Sequence, residues 1–90
     1  MLRMDTATID QAIGRKLAGL RTERNLSQEQ LATASGISES TIYRLEQGSR
    51  SIRAEQLYPI CVALGTTMHA FLESAMDLAR SLESQGESAG

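Results

Sequence analysis

Residues 26–48 read LSQEQLATASGISESTIYRLEQG, and the spacing within them decides the fold. Ser27 precedes a helical run and Gln30 follows three residues later. A serine hydroxyl in that place accepts a bond from the amide of the third residue, while the glutamine side chain reaches back to the serine amide, a reciprocal capping box. Leu26 before the cap and Leu31 after it form a hydrophobic staple. Gly36 ends the run as a residue free to take positive φ. The device then repeats. Ser38 is the second cap, Ile37 staples to Ile42, and Gly48 stops the second helix after about Gln47. Counted from Gln28, Ala32 falls fifth, where two helices cross closely and a large side chain would clash. Gly36 falls ninth, in the turn, and Ile42 fifteenth, between the helices. Leu31, Ile37 and Leu45 fill the other inward positions.

Two short capped helices joined by a glycine-bearing turn describe a helix-turn-helix. The flanks are helical too, because apolar residues recur at three- and four-residue steps and strict alternation is absent. Before the motif, Ile9, Ile13, Leu17 and Leu20 share one face of a helix expected over about 9–24. Thr8 with Gln11 fits a capping box at its start, and Asn25 suits its end. After the motif, a helix is expected over 54–64, with Leu57, Ile60, Cys61 and Leu64 inward and Gly65 as its stop. Pro59 removes an amide donor there and crowds the carbonyl of Glu55, so a kink or a loose 3₁₀ first turn is expected. A fifth helix is expected over 68–82. Met68, Leu72, Ala75, Ala79 and Leu82 form one stripe of it, and Phe71 and Leu78 an adjoining one. The Ser/Gly/Glu-rich 83–90 reads as a disordered tail. The organisation is therefore an arm at 1–8, a domain at 9–72, an extension of the last helix at 73–82, and a tail at 83–90.

Composition agrees with an all-α, five-helix chain. At 90 residues it is one domain, with 41% apolar and only 3% aromatic residues and no Trp, so the core is aliphatic. A sandwich or barrel would need β-branched and aromatic strands that are missing. One Cys and one His exclude an intrachain disulfide framework, make a tetrahedral zinc site unsuitable and point to a reducing, cytoplasmic setting. No apolar run approaches a membrane span, and the start lacks a signal peptide's apolar stretch. The net charge is −2. The acids Glu73, Asp77, Glu83 and Glu87 face only Arg80 in the last quarter, so the rest is near neutral and free to present a local basic face. Cys61 reads as a core thiol and His69 as an exposed helix residue. No Ser/His/Asp set, metal-ligand spacing or phosphate-cradling glycine loop appears, so neither an enzyme nor a cofactor is expected.

The runs IGRKLAGLRTERNLSQEQLATASGISESTIYRLEQGSRS at 13–51 and LYPICVALG at 57–65 resemble the Cro/C1-type (XRE-like) helix-turn-helix family of phage repressors and small bacterial regulators. The likeness spans Ile13–Leu72. It implies a lambda-repressor-like DNA-binding fold of five helices, usually dimeric, whose third helix enters the major groove. Many members carry Pro where Ile52 stands and a Ser or Thr cap where Arg53 stands, so the fourth helix here lacks that cap.

The helical wheel agrees with this expectation. With Ile42 and Leu45 inward at about 100° per residue, Ser40, Tyr43, Arg44 and Gln47 point outward, and Ser38, Glu39 and Ser40 lie at the exposed N-terminal end. The resemblance implies base contacts from Ser38, Glu39, Ser40 and Arg44. The fork of Arg44 fits O6 and N7 of guanine. Glu39 either accepts from cytosine N4 or is simply an acid favoured by the helix dipole. Tyr43 is a phosphate or thymine-methyl contact, or an amphipathic surface residue. Phosphate contacts fall to the N-terminus of the motif's first helix and to nearby donors: Gln28, which the resemblance assigns, then Ser27, Gln47, Ser49, Arg50 and Arg53. Arg15, Lys16 and Arg24 are solvated charges or further contacts. The resemblance makes Arg21 and Glu46 an ion pair between the first and third helices, and the wheel puts Glu46 near the inward face.

The function expected is sequence-specific regulation of transcription by a homodimer, a repressor bound to a short pseudo-palindrome in double-stranded DNA. Phe71, Ala75, Leu78 and Leu82 are the dimer candidates, with Phe71 alternatively completing the monomer core. An antitoxin that also represses its own operon, with a toxin or antirepressor as protein partner, is one alternative. A protein-interaction module that has kept the fold without DNA binding is another.

Overall fold

A computed structural model describes residues 4–89, with side chains from 4 to 85. Five helices follow one another: α1 Thr6–Glu23, α2 Gln28–Ser35, α3 Glu39–Glu46, α4 Ala54–Leu64 and α5 Met68–Ala89. No strand is present among the described residues.

The caps of α2 and α3 set their boundaries. The Gln30 amide donates to Ser27 Oγ at 3.0 Å and the Ser27 amide to Gln30 Oε1 at 2.8 Å, closing the reciprocal box. The Thr41 amide donates to Ser38 Oγ at 3.2 Å. At the end of α3, Gly48 has φ +72, and a Cβ there would stand 3.1 Å from Gln11 Cα. Glycine is required twice over, by the left-handed turn and by the approach of α1. At the end of α1, Asn25 takes φ 59. The Asn25 amide donates to the Thr22 carbonyl and the Leu26 amide to the Arg21 carbonyl, 3.0 and 3.1 Å away. This is the double bond of a Schellman ending, with asparagine in glycine's usual place.

The start of the first helix and the end of the last differ from the sequence expectation. The first helix starts at Thr6, so the arm is shorter than 1–8. Asp5, not Thr8, is its cap: Asp5 Oδ1 accepts from the Thr8 amide at 3.0 Å and from the Thr8 hydroxyl at 3.1 Å. An aspartate caps as well as a threonine, and its carboxylate takes both donors at once. Residues 1–3 lie outside the described residues. Helix α4 is α-helical across Pro59. Its start carries the expected 3₁₀ character, since the Arg53 carbonyl accepts from both Gln56 and Leu57 at 2.9 and 3.0 Å. With no hydroxyl at Arg53, Gln56 Oε1 accepts from the Arg53 amide at 3.0 Å.

In the extension at 73–82, Ala75 and Ala79 are fully buried along α5, so it packs on the domain through these two residues. Helix α5 then continues to Ala89 through the segment expected to be a tail, and Gly90 lies outside the described residues. Glu83 and Gln85 are good helix formers, no proline intervenes, and extending a docked helix adds one bond per residue fixed.

The core is aliphatic around one aromatic: Leu17, Leu31, Ile42, Leu45, Ile60, Leu64 and Phe71 are almost wholly buried. Ile13, Leu57 and Cys61 complete it. Phe71 at 1% exposure and Ala75 at 0% are spent inside the monomer, which removes them as dimer contacts. Leu78 and Leu82 are half-buried. Met68, expected inward, is 40% exposed.

Candidate nucleic-acid interface

Helix α3 is seated by its inward face. Ile42 and Leu45 are buried, and the backbone of α1 comes within contact distance at Gly14. A Cβ on Gly14 would overlap the Leu45 carbonyl oxygen and stand 2.7 Å from the Glu46 carbonyl oxygen. Only glycine allows helices to meet this closely. The last turn of α3 is thereby fixed against α1.

Polar bonds fix the same turn laterally. Arg21 Nε donates to Glu46 Oε2 at 2.6 Å and Arg21 Nη2 to Glu46 Oε1 at 3.0 Å. Arg21 Nη1 donates to the Leu26 carbonyl at 2.8 Å. Gln28 Nε2 donates to Glu46 Oε1 at 2.9 Å. The Glu46 side chain is only 5% exposed, so its charge depends on these three donors. The bond to Glu46 holds the Arg21 guanidinium's pKa above its ordinary value, against an opposing effect of burial. Helices α1, α2 and α3 thus meet at one carboxylate. The expected Arg21–Glu46 pair is present, and Gln28 joins it.

The opposite face of α3 is open. Glu39, Ser40, Arg44 and Gln47 are exposed, and Tyr43 is 53% exposed. None of the described salt bridges involves Arg44 or Arg50. Ser38 is exposed as well, but its hydroxyl donates to Thr41 Oγ1 at 2.8 Å while accepting from the Thr41 amide, so it serves chiefly as the cap. Glu39 stands in the first turn of α3, where the helix dipole favours an acid.

The phosphate candidates fall at two places. Ser27 and Gln28 sit at the N-terminus of α2, whose first-turn amides have no intrahelical carbonyl to meet. The Gln28–Glu46 bond brings that terminus beside the last turn of α3. Ser49 is tied to the same turn, since its hydroxyl donates to the Arg44 carbonyl at 3.2 Å, and Arg50 follows it. Arg53 lies further along, its guanidinium on Glu55 at 2.6 Å with both side chains about two-thirds exposed. That bond and the helix amide lower the Glu55 pKa, the amide bond more.

Sequence reasoning missed two struts. Arg24 Nε donates to the Leu64 carbonyl at 2.9 Å, capping the end of α4 from the end of α1. Ser51 Oγ donates to Asp10 Oδ2 at 2.7 Å, pinning the loop after α3 to the first half of α1. A basic residue near a helix end was visible at Arg24, but its acceptor lies forty residues on. No described helix is long and apolar enough to cross a membrane.

Known proteins are similar to this chain in sequence and fold. A family model described as a helix-turn-helix domain matches residues 12–72. The HTH-type transcriptional regulator y4dJ of Sinorhizobium fredii is 36% identical over 55 residues, 61% of this chain and 71% of that protein. Among solved structures, the clp gene regulator ClgR of Corynebacterium glutamicum is similar with a TM-score of 0.83 and 27% identity, over 90% of this chain and 86% of that one. The restriction-modification controller protein C.AhdI of Aeromonas hydrophila matches with a TM-score of 0.67 and 31% identity, over 69% of this chain and 94% of that one.

Proposed function

Since the chain belongs to the Cro/C1-type helix-turn-helix family of DNA-binding transcriptional regulators, we propose that it is a homodimeric repressor of a short pseudo-palindromic operator. The observation that carries this reading is the contrast between the two faces of α3. One face is locked by Ile42, Leu45 and the Glu46 carboxylate. The other presents Ser40, Tyr43, Arg44 and Gln47 to solvent. A rigidly held helix with an unoccupied polar face suits the major groove, where a misplaced helix would lose its hydrogen bonds to base edges.

In this reading Arg44 takes the O6 and N7 of a guanine, and Glu39, Ser40 and Tyr43 read the neighbouring positions. The α2 N-terminus with Ser27 and Gln28 holds one phosphate, and Gln47, Ser49, Arg50 and Arg53 follow the same strand. Ser38 contributes by setting the start of α3 rather than through a free hydroxyl. The Gln28 amide, held by Glu46, reaches DNA in a preset orientation and loses little freedom on binding. Two α3 copies about 34 Å apart would enter successive major grooves.

Selection from random duplex DNA by the purified protein, at about 0.15 M ionic strength, tests the reading. A recovered inverted repeat with a guanine in each half-site is expected. No enrichment by a folded protein would overturn it in favour of a module that binds protein alone.

A further inference from the structure

The loop between α3 and α4 carries three of the phosphate candidates, Ser49, Arg50 and Arg53, and neighbouring residues of α1 hold it at two points. At its start, a Cβ on Gly48 would stand 3.1 Å from Gln11 Cα, so the loop begins close against α1. Further on, Ser51 Oγ donates to Asp10 Oδ2 at 2.7 Å. Asp10 and Gln11 are consecutive, so one short stretch of α1 meets both points. The middle of the loop has few other ties. Among the described residues, Arg50, Ser51 and Ile52 take part in no backbone-to-backbone hydrogen bond. The Asp10–Ser51 bond is their one described side-chain bond, and Ile52 packs half-buried against the core.

By charge, Asp10 is out of place. A carboxylate within hydrogen-bond distance of a loop that offers guanidinium groups to phosphate repels the same phosphates. None of the described salt bridges involves Asp10. Its described side-chain bond is the one to Ser51. A charged acceptor makes a shorter and stronger bond than a neutral one. A loop already held in its binding shape loses less freedom when DNA arrives.

We propose that Asp10 is a positioning residue for DNA binding: its carboxylate fixes Ser51 and thereby presents Arg50 and Arg53 to the phosphates of one strand. This rests on the DNA-binding reading above and adds to it a residue that acts on DNA only through another. The two roles open to the carboxylate differ in sign. As a bare charge it weakens binding, and its removal strengthens it. As a positioning residue it strengthens binding, and its removal weakens it.

The test is fluorescence anisotropy with the full chain at several salt concentrations, on a labelled duplex recovered by selection and on a random-sequence duplex of equal length. Thermal melts followed by circular dichroism control for folding. Asp10→Ala is expected to melt close to the wild type, since alanine favours the helix and the lost bond lies at the surface. It is expected to bind both duplexes about fivefold more weakly, because the loop is no longer preset. The salt slope should shrink by about 1, as a phosphate contact and not a base contact is lost. Ser51→Ala leaves α1 intact and should give the same loss, with the double variant no weaker than either single one. Asp10→Asn keeps an acceptor for Ser51 without the charge and should recover most of the affinity. An Asp10→Ala or Ser51→Ala protein that binds as tightly as the wild type or more tightly would overturn the positioning role. So would an Asp10→Asn protein as weak as Asp10→Ala. Either result leaves the DNA-binding reading standing, whereas a folded wild-type chain that binds neither duplex would overturn both.

Discussion

Arg21 grips both carboxylate oxygens of Glu46, at 2.6 and 3.0 Å, and Gln28 takes one of them again at 2.9 Å. One buried carboxylate therefore joins three helices, and its removal or desertion should be felt at α3. Arg21→Ala leaves the enclosed Glu46 carboxyl without two of its three donors, and is expected to cost about 3 kcal/mol in urea unfolding. Glu46→Gln should cost less, because Arg21 retains the Leu26 carbonyl and is the more exposed partner. Equal losses from the two variants would contradict this account.

The two glycines of α1 should respond with opposite sign. Gly14→Ala drives a methyl into the carbonyls of Leu45 and Glu46 and is expected to destabilise by about 1–3 kcal/mol. Gly19→Ala meets nothing in the monomer and should gain up to about 1 kcal/mol. Chemical denaturation under conditions where the chain is monomeric checks both.

In the proposed reading, Arg44 and Arg50 divide the labour of binding DNA. Arg44→Ala is expected to cost roughly 1–3 kcal/mol at the operator and to relax discrimination at one position of each half-site. Arg50→Ala should weaken all sequences alike and reduce the salt slope by about 1, from an expected value of about −5 for some six phosphates neutralised per dimer. Fluorescence anisotropy against matched and mutated duplexes at several salt concentrations separates the two. An Arg44→Ala protein with unchanged specificity would mean that a different face of α3 reads the bases.

Cys61 is buried at 1% exposure, and burial pushes its thiol pKa up. The folded state thus holds the thiol proton more tightly than the unfolded chain. Its contribution to stability is complete below the ordinary thiol pKa of about 8.5 and is lost as pH rises from there through the raised value. Native protein should react slowly with a thiol reagent. Stability should fall above about pH 8.5 by an amount that Cys61→Ala removes, as pH-dependent unfolding will show.

The helix caps are separable from DNA contact. Ser27→Ala and Ser38→Ala are each expected to cost about 0.5–2 kcal/mol. A loss of operator affinity in Ser38→Ala should track this loss of stability, since the hydroxyl is engaged by Thr41. A large affinity loss in a variant of unchanged stability would instead make Ser38 a base contact.

What could be read from residues in order was whatever closes over three or four of them. The Ser27–Gln30 box, the Ser38 cap, the turn at Gly36 and the inward set Leu31, Ile37, Ile42 and Leu45 are local devices, and each needs only its neighbours to act. The outward face of α3 follows from the same periodicity. Where local signals compete the order misleads: Asp5 and Thr8 are both fit to cap, and the acidic end of α5 is both polar and helix-forming. Which side chains remain available was decided by tertiary packing alone. Gln28 is turned to Glu46 across α2 and α3, Arg24 to Leu64 and Ser51 to Asp10. Phe71 and Ala75 are drawn into the core and away from any partner. The difference between Gly14 and Gly19 is likewise invisible until α3 and α5 are in place. Such contacts join residues far apart in the chain, whose distance is set by helix packing rather than by any repeat in the sequence.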